Sequence, residues 1–134
     1  MAHLSFEYSN GLGRVADLDQ LCATLRDEMM ASGVFPLAGI RVRGFEADVM
    51  CIADGGAHHF VDMVLRMGQG RDIATRNAVA DKIYSAARGA LMPRISTGFM
   101  LSLEVVEIDA SFSRKSWNTV REKIGDTVIG EPKN

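Results

Sequence analysis

The chain has 134 residues, of which 47% are hydrophobic and 24% are charged, and this is typical of one globular domain with its own core. A net charge of −2 and a pI of about 5.9 exclude a general electrostatic attraction to nucleic acid or to an anionic membrane. Any site for an anion must therefore be built locally, from a few arginines.

The cysteines and histidines do not follow a pattern typical of a metal centre or a disulfide. Cys22 and Cys51 fall within apolar patterns, so we expect both to be small buried side chains. His58-His59 is expected to form a polar strand edge, because these residues lack metal-ligand spacing to the cysteines. No apolar run is long enough to span a membrane, and Met1-Ala2-His3 does not begin a signal peptide. We therefore expect a cytoplasmic protein with neither membrane nor nucleic acid as a partner.

The chain begins with a predicted strand, because apolar and polar residues alternate over residues 3–8. A strand that starts at the beginning of the chain would hold the α-amino group at the end of a sheet. Asp17 and Gln20 then form a helix start that resembles a capping box, and Gly33 ends the helix. The apolar stripe of this helix consists of Leu18, Leu21, Cys22, Leu25 and Met29.

A second strand is predicted at 40–43, with apolar residues on one face and arginines on the other. Residues 46–53 either continue this strand after a bend at Gly44 or form a short partner strand, and the sequence does not decide between the two. Residues 54–56 form a turn.

The second half of the chain repeats this order. A mostly apolar run at 60–67 predicts a buried strand. Asp72 is placed as the N-cap of a helix over 73–91 that ends before Pro93, and 100–108 predicts a fourth strand. The chain is therefore predicted to consist of two consecutive βαβ units, with a period of roughly 55–60 residues.

A glycine-rich turn that ends in arginine follows the first strand of each unit, as Gly11-Leu12-Gly13-Arg14 and as Gly68-Gln69-Gly70-Arg71. In the second turn, Arg71 precedes a helix N-terminus, where free N–H groups, the helix dipole and a guanidinium together favour a carboxylate or phosphate. The alternative is an ordinary turn with a solvated arginine.

Two βαβ units predict an α/β (α+β) fold in which a four-stranded mixed sheet carries two helices on one face. The other face would be uncovered, so the pattern predicts an oligomer. We assign residues 1–110 to this domain and 111–134 to a C-terminal arm, which could dock through Trp117 and Val120 or brace a neighbouring subunit with Trp117 as its anchor. Residues 125–134 are expected to be a frayed tail.

The chain contains no HExxH, CxxC, Walker or GxSxG motif. It resembles the 5-carboxymethyl-2-hydroxymuconate isomerase family of the tautomerase superfamily. The resemblance is carried by 33–43 (GVFPLAGIRVR), Ala53-Asp54-Gly55, Phe60-Val61 and Gly68-Gln69-Gly70-Arg71, and it covers about residues 2–110.

The resemblance implies a homotrimer of duplicated βαβ protomers with active sites near subunit boundaries and no metal or organic cofactor. It implies a 1,3-proton shift in an unsaturated hydroxy di- or tricarboxylic acid from homoprotocatechuate catabolism. In this family the amine of an N-terminal proline moves the proton and two arginines bind the acid groups. The matching arginines are Arg41 and Arg71, and we add Phe35 and Arg43 to the expected substrate-binding residues. For Arg43 and Arg14, a structural role or a position at the rim of the site is the alternative to substrate binding.

The chain departs from the family at position two, where Ala2 replaces proline. Removal of Met1 would leave a primary amine with a pKa near 7.7–8.0, which burial beside cationic arginines would lower, so Ala2 remains the expected base. It lacks the ring that directs the nitrogen of proline. The alternatives are a non-catalytic trimer that binds small carboxylates, and the same fold performing hydration or decarboxylation.

Overall fold

The computed structural model describes residues 1–128. Four strands and two long helices alternate as predicted, and a short third helix follows them. In chain order the elements are β1 (Ala2–Tyr8), α1 (Leu18–Ala31), β2 (Ile40–Glu46), β3 (His59–Gly68), α2 (Ile73–Leu91), β4 (Phe99–Ile108) and α3 (Val120–Ile124).

The four strands form one mixed sheet in the order β2-β1-β3-β4. β1 is parallel to β2, β3 is parallel to β4, and the two units meet through the antiparallel pair β1–β3. Ala2 lies opposite Ile40 on one side and opposite Met67 on the other. This confirms the duplicated βαβ architecture, and it places the start of the chain in the middle of the sheet.

The core lies between the sheet and the two long helices, which contact each other on the same face. Alternate residues of β1 and β3 point into it, as the pleat of a strand requires, and they are almost completely buried: Ala2, Leu4, Phe6, Val61, Met63, Leu65 and Met67. Leu21, Leu25 and Met29 of α1 meet them, as the predicted stripe requires. The opposite face of β1 carries His3, Ser5 and Glu7.

Side chains cap both long helices as predicted. Asp17 Oδ1 accepts a hydrogen bond of 2.9 Å from the Gln20 N–H, and Asp72 Oδ1 accepts one of 2.7 Å from the Thr75 N–H. Gly33 follows the end of α1 with a φ of 70°, the left-handed conformation that glycine adopts at least cost.

Two predictions about the segment after β2 are corrected. β2 runs through Gly44 to Glu46, and 47–58 contains neither a continued strand nor a partner strand. Gly44 is required there because a Cβ at this position would lie 2.5 Å from Cζ of buried Phe6. Cys51 is exposed rather than buried, since it lies in this loop, and both cysteines are free.

The C-terminal arm contacts its own chain through residues other than Trp117 and Val120, and the expected contact of Trp117 with a neighbouring subunit stays a prediction. Trp117 is 91% exposed and Val120 is 52% exposed. Instead, Asn118 Nδ2 donates to Ala38 O at 2.9 Å, and Leu37 N donates to Thr127 O at 3.1 Å. Residues 125–128 are therefore not a frayed tail, and the rest of the predicted tail, 129–134, lies outside the described residues.

Candidate active site

The start of the chain is held in a fixed position beside the entry to β2. Ala2 is 1% exposed and pairs with a strand on each side. A Cβ at Gly39 would lie 3.1 Å from Met1 Cα and 3.3 Å from Met1 N. The missing side chain of Gly39 therefore leaves the space in which the first residue lies.

The α-amino group of Met1 opens onto a cleft of about 810 Å³. The sheet side of this cleft includes His3, Arg41 and Arg66, and the arm side includes Lys115 and Asn118. Burial lowers the pKa of the amine below 8.0, and the positive charges of Lys115, Arg71 and Arg41 lower it further, against a smaller opposite effect of Asp126. The chain thus holds an amine whose neutral fraction at pH 7 exceeds that of a free terminus.

Arg41, the second residue of β2, points into this cleft. Its Nη2 and Nε donate to Gly39 O at 3.2 and 3.4 Å, and within residues 1–128 it forms no ion pair. The pKa of Arg41 is lowered by burial and by the charges of Arg43 and Arg66, although it remains fully protonated at neutral pH. A guanidinium without a carboxylate partner is suited to bind an anionic ligand.

Arg71 lies next to Asp72, whose carboxylate caps the N-terminus of α2 as predicted, and its guanidinium is held by carbonyl oxygens of other segments. Arg71 Nη1 donates to Gly68 O and Nη2 donates to Val34 O, both at 3.0 Å, and Cζ lies 5.3 Å from the centroid of the Phe35 ring. These contacts orient the guanidinium firmly while its charge still acts on the Met1 amine.

Phe35 and Arg43 occupy different positions from Arg41. Phe35 is 1% exposed and forms the apolar floor under Arg71. Arg43 lies two residues further along β2, and its Nη1 contacts His3 Nδ1 at 3.3 Å. Their expected role in substrate binding remains a prediction.

His3 was not identified from the sequence as a site residue. Burial and the charges of Arg41, Arg66 and Arg43 lower its pKa to about 4, so the ring is neutral at pH 7. Because the Arg43 guanidinium can only donate, His3 Nδ1 accepts, and the proton of the neutral ring belongs on Nε2. Nε2 is buried, and no partner for it exists within residues 1–128. The sequence signal that could have identified His3 was its position in the alternation of apolar and polar residues along β1.

The two glycine-rich turns have different conformations. In Gly11-Leu12-Gly13-Arg14 the last three residues form a single 3₁₀ turn and the positive φ is at the first glycine, whereas in the second turn the positive φ is at Gly70. Arg14 is exposed and lies beyond the C-terminal end of β1, away from Ala2. The structure therefore places Arg41 in the cleft with the amine. Arg71 does not line this cleft, although its charge lowers the pKa of the amine, and Arg14 lies outside. Over residues 1–128, no cluster of three metal-ligating side chains occurs and no helix is long and apolar enough to cross a membrane.

A duplicated βαβ sheet that holds the start of the chain in a central strand, beside Arg41, defines a protein of the tautomerase fold class. The profile of the family described as CHMI, 5-carboxymethyl-2-hydroxymuconate isomerase, matches residues 2–124. The chain belongs to this family of isomerases.

Individual relatives agree with this assignment. The 5-carboxymethyl-2-hydroxymuconate Delta-isomerase of Escherichia coli is 33% identical over 123 residues, which cover 88% of this chain and 95% of the relative. A crystal structure of a 5-carboxymethyl-2-hydroxymuconate delta-isomerase superposes with a TM-score of 0.85 at 28% identity and 92% coverage of both chains. The isomerase from Deinococcus radiodurans R1 gives 0.83 at 25% identity, covering 91% of this chain and 92% of that one.

Proposed function

We propose that this protein catalyses a 1,3-proton shift in 5-carboxymethyl-2-hydroxymuconate, an unsaturated hydroxy tricarboxylate of homoprotocatechuate catabolism. The observation that carries the proposal is the amine of lowered pKa in a cleft that it shares with the Arg41 guanidinium, which forms no ion pair within residues 1–128. A neutral amine can accept a proton, and a guanidinium stabilises the negative charge that this proton leaves behind.

Ala2 is the proposed base, after removal of Met1. The Ala2 nitrogen lies one strand residue, or about 3.3 Å, further into the sheet than the Met1 nitrogen. We expect the causes that lower the pKa of the Met1 amine to act on the Ala2 amine too, namely burial and the charges of Lys115, Arg71 and Arg41. The pairing of Ala2 with strands on both sides fixes the direction of its nitrogen, which partly replaces the constraint of a proline ring.

In the proposed reaction the amine takes a proton from one end of the conjugated three-atom unit and leaves a delocalised enolate. The resulting ammonium returns the proton to the other end, so no proton is gained or lost overall. Arg41 binds a substrate carboxylate beside the amine, and Arg71 binds a second one. Arg71 uses two of its five N–H groups on Gly68 O and Val34 O, and this leaves three for a ligand.

Phe35 and Arg43 support these two arginines. Phe35 holds the Arg71 guanidinium from below, and Arg43 keeps the neutral His3 ring oriented at the rim of the cleft. In this proposal both contribute to substrate binding by fixing the charged groups around the substrate.

We further propose a homotrimer. The face of the sheet opposite the helices carries residues that one chain leaves partly exposed, among them Phe45, Met100 and Val106. A subunit that covers this face would bury apolar area and would enclose the nearby cleft. Light scattering after size exclusion should give three times 14.6 kDa, and a monomer would contradict this part of the proposal.

An ultraviolet progress curve with 5-carboxymethyl-2-hydroxymuconate tests the reaction, on protein whose N-terminus has been defined by intact mass. We expect turnover by the protein that lacks Met1 and faster turnover by Ala2→Pro, because the ring directs the nitrogen. Arg14→Ala is the matched control, since Arg14 lies outside the site. Turnover by Ala2→Pro alone would indicate that the unaltered protein binds carboxylates without catalysis. No turnover by either protein would refute the proposal.

A further inference from the structure

The C-terminal arm forms one side of the cleft and is fixed there by two hydrogen bonds. Asn118 Nδ2 donates to Ala38 O at 2.9 Å, and the carbonyl of Thr127 accepts from Leu37 N at 3.1 Å. Both partners belong to the short segment that leads into β2 and Arg41. Val128, 7% exposed, anchors the arm beyond these bonds. The position of the arm is therefore coupled to the position of Arg41.

The cleft has a large excess of positive charge. Five side chains that line it are cationic, namely Arg41, Arg66, Arg114, Lys115 and Arg121. The one carboxylate that lines it, Asp126, is already paired with Arg121. Four cations therefore remain without a carboxylate partner within residues 1–128, and this is more than a substrate with two acid groups requires.

Lys115 differs from the other cations on the arm. Arg114 Nη1 donates to Ser111 O and Ser113 O, both at 3.3 Å. The Lys115 ammonium has no hydrogen-bond or ion-pair partner in the described part of the chain, although it lines the cleft. Among the charges that lower the pKa of the Met1 amine, that of Lys115 acts most strongly, ahead of Arg71 and Arg41. The Lys115 ammonium, without a partner among residues 1–128, thus lines the same cleft as the amine and acts on it through its charge.

We propose that Lys115 is a substrate-binding residue that gives the site its preference for tricarboxylates over dicarboxylates. In the proposed function Arg41 in the cleft and Arg71 beyond its lining bind two carboxylates, and a third one requires a further cation within reach of the same amine. Lys115 provides it from the arm, as a flexible point charge that can follow the ligand. This inference rests on the proposed function, whose substrate carries three carboxylates.

Calorimetric binding of propane-1,2,3-tricarboxylate and of pentanedioate tests this without turnover. For Lys115→Ala we expect tricarboxylate binding weaker by about fivefold, the effect of a largely exposed ion pair, and dicarboxylate binding within about twofold. Lys115→Arg should retain the preference because it keeps the charge. Lys123→Ala is the matched control, since it removes the same charge from α3 outside the cleft lining.

Kinetics with 5-carboxymethyl-2-hydroxymuconate supply the second readout: Lys115→Ala should raise KM about fivefold and leave kcat within about twofold. Equal weakening of both ligands, the same loss in Lys123→Ala, or no tricarboxylate binding by the unaltered protein would overturn the inference. If the unaltered protein fails to turn over but the binding difference appears, the proposed reaction fails and the role of Lys115 stands. If the unaltered protein turns over the substrate but Lys115→Ala changes neither KM nor ligand binding, the proposed reaction stands and the role of Lys115 fails.

Discussion

Replacement of Arg71 by alanine separates the structural and the chemical contributions of this side chain. The substitution removes two hydrogen bonds of 3.0 Å to Gly68 O and Val34 O and the contact with Phe35. Each hydrogen bond of a partly exposed group contributes about 1 kcal/mol, and the cation–π contact adds about 0.5–1 kcal/mol. We therefore expect Arg71→Ala to lower the free energy of unfolding by about 2–3 kcal/mol. In a chain of this size that lowers Tm by about 8–12 °C at fixed protein concentration.

The effect on catalysis should be larger than this structural loss. If Arg71 stabilises the charge that develops on the substrate, its removal should lower kcat/KM by about 100-fold or more. The assay is the ultraviolet progress curve at 20 °C, where a protein destabilised by 2–3 kcal/mol is still folded, with urea unfolding measured in parallel. Arg14→Ala, in the other glycine-rich turn, should change neither quantity. If kcat/KM falls only in proportion to the folded fraction, the proposed role of Arg71 is wrong.

Three further outcomes are expected. Gly44→Ala should lower the free energy of unfolding by about 1–3 kcal/mol in urea titrations, because its Cβ would overlap the buried Phe6 ring; an unchanged midpoint would contradict this. The kcat/KM of the proton shift should rise with pH and level off above a pKa below 8.0, since only the neutral amine accepts a proton. Lys115→Ala should move that rise to higher pH. The free energy of unfolding should decrease as the pH is lowered from 6.5 to about 4, because over this range His3 binds a proton in the unfolded chain but not in the folded one. His3→Gln should make this decrease smaller.

Local signals were sufficient for most of the fold. The helix at Ile73–Leu91 has the predicted bounds, because Asp72 can cap it from its own side chain and Pro93 cannot continue it. The alternation along β1 identified the buried face in the same way, since the pleat of a strand is a local property. Sequence could not resolve the segment after β2, because Gly44 is required by contact with Phe6, a residue on another strand.

The candidate site was only partly predictable for the same reason. Arg41 and Arg71 were identified through residues near them in the sequence, yet the direction of the Arg71 guanidinium depends on Val34 O, 37 residues away. His3 has only its place in the alternation of β1 as a local signal and Lys115 has none, because both acquire their role from charges on other elements.

The sequence by itself determined the duplicated βαβ order, the caps of the helices and the position of the amino terminus at the end of a strand in the sheet. Each of these follows from residues that are neighbours in the chain. Only the tertiary structure decided that the C-terminal arm lies against the entry to β2 and that its cations share one cleft with Met1 and Arg41. Charges act through space, and the pKa of the amine therefore depends on side chains that folding brings from more than 100 residues away in the sequence.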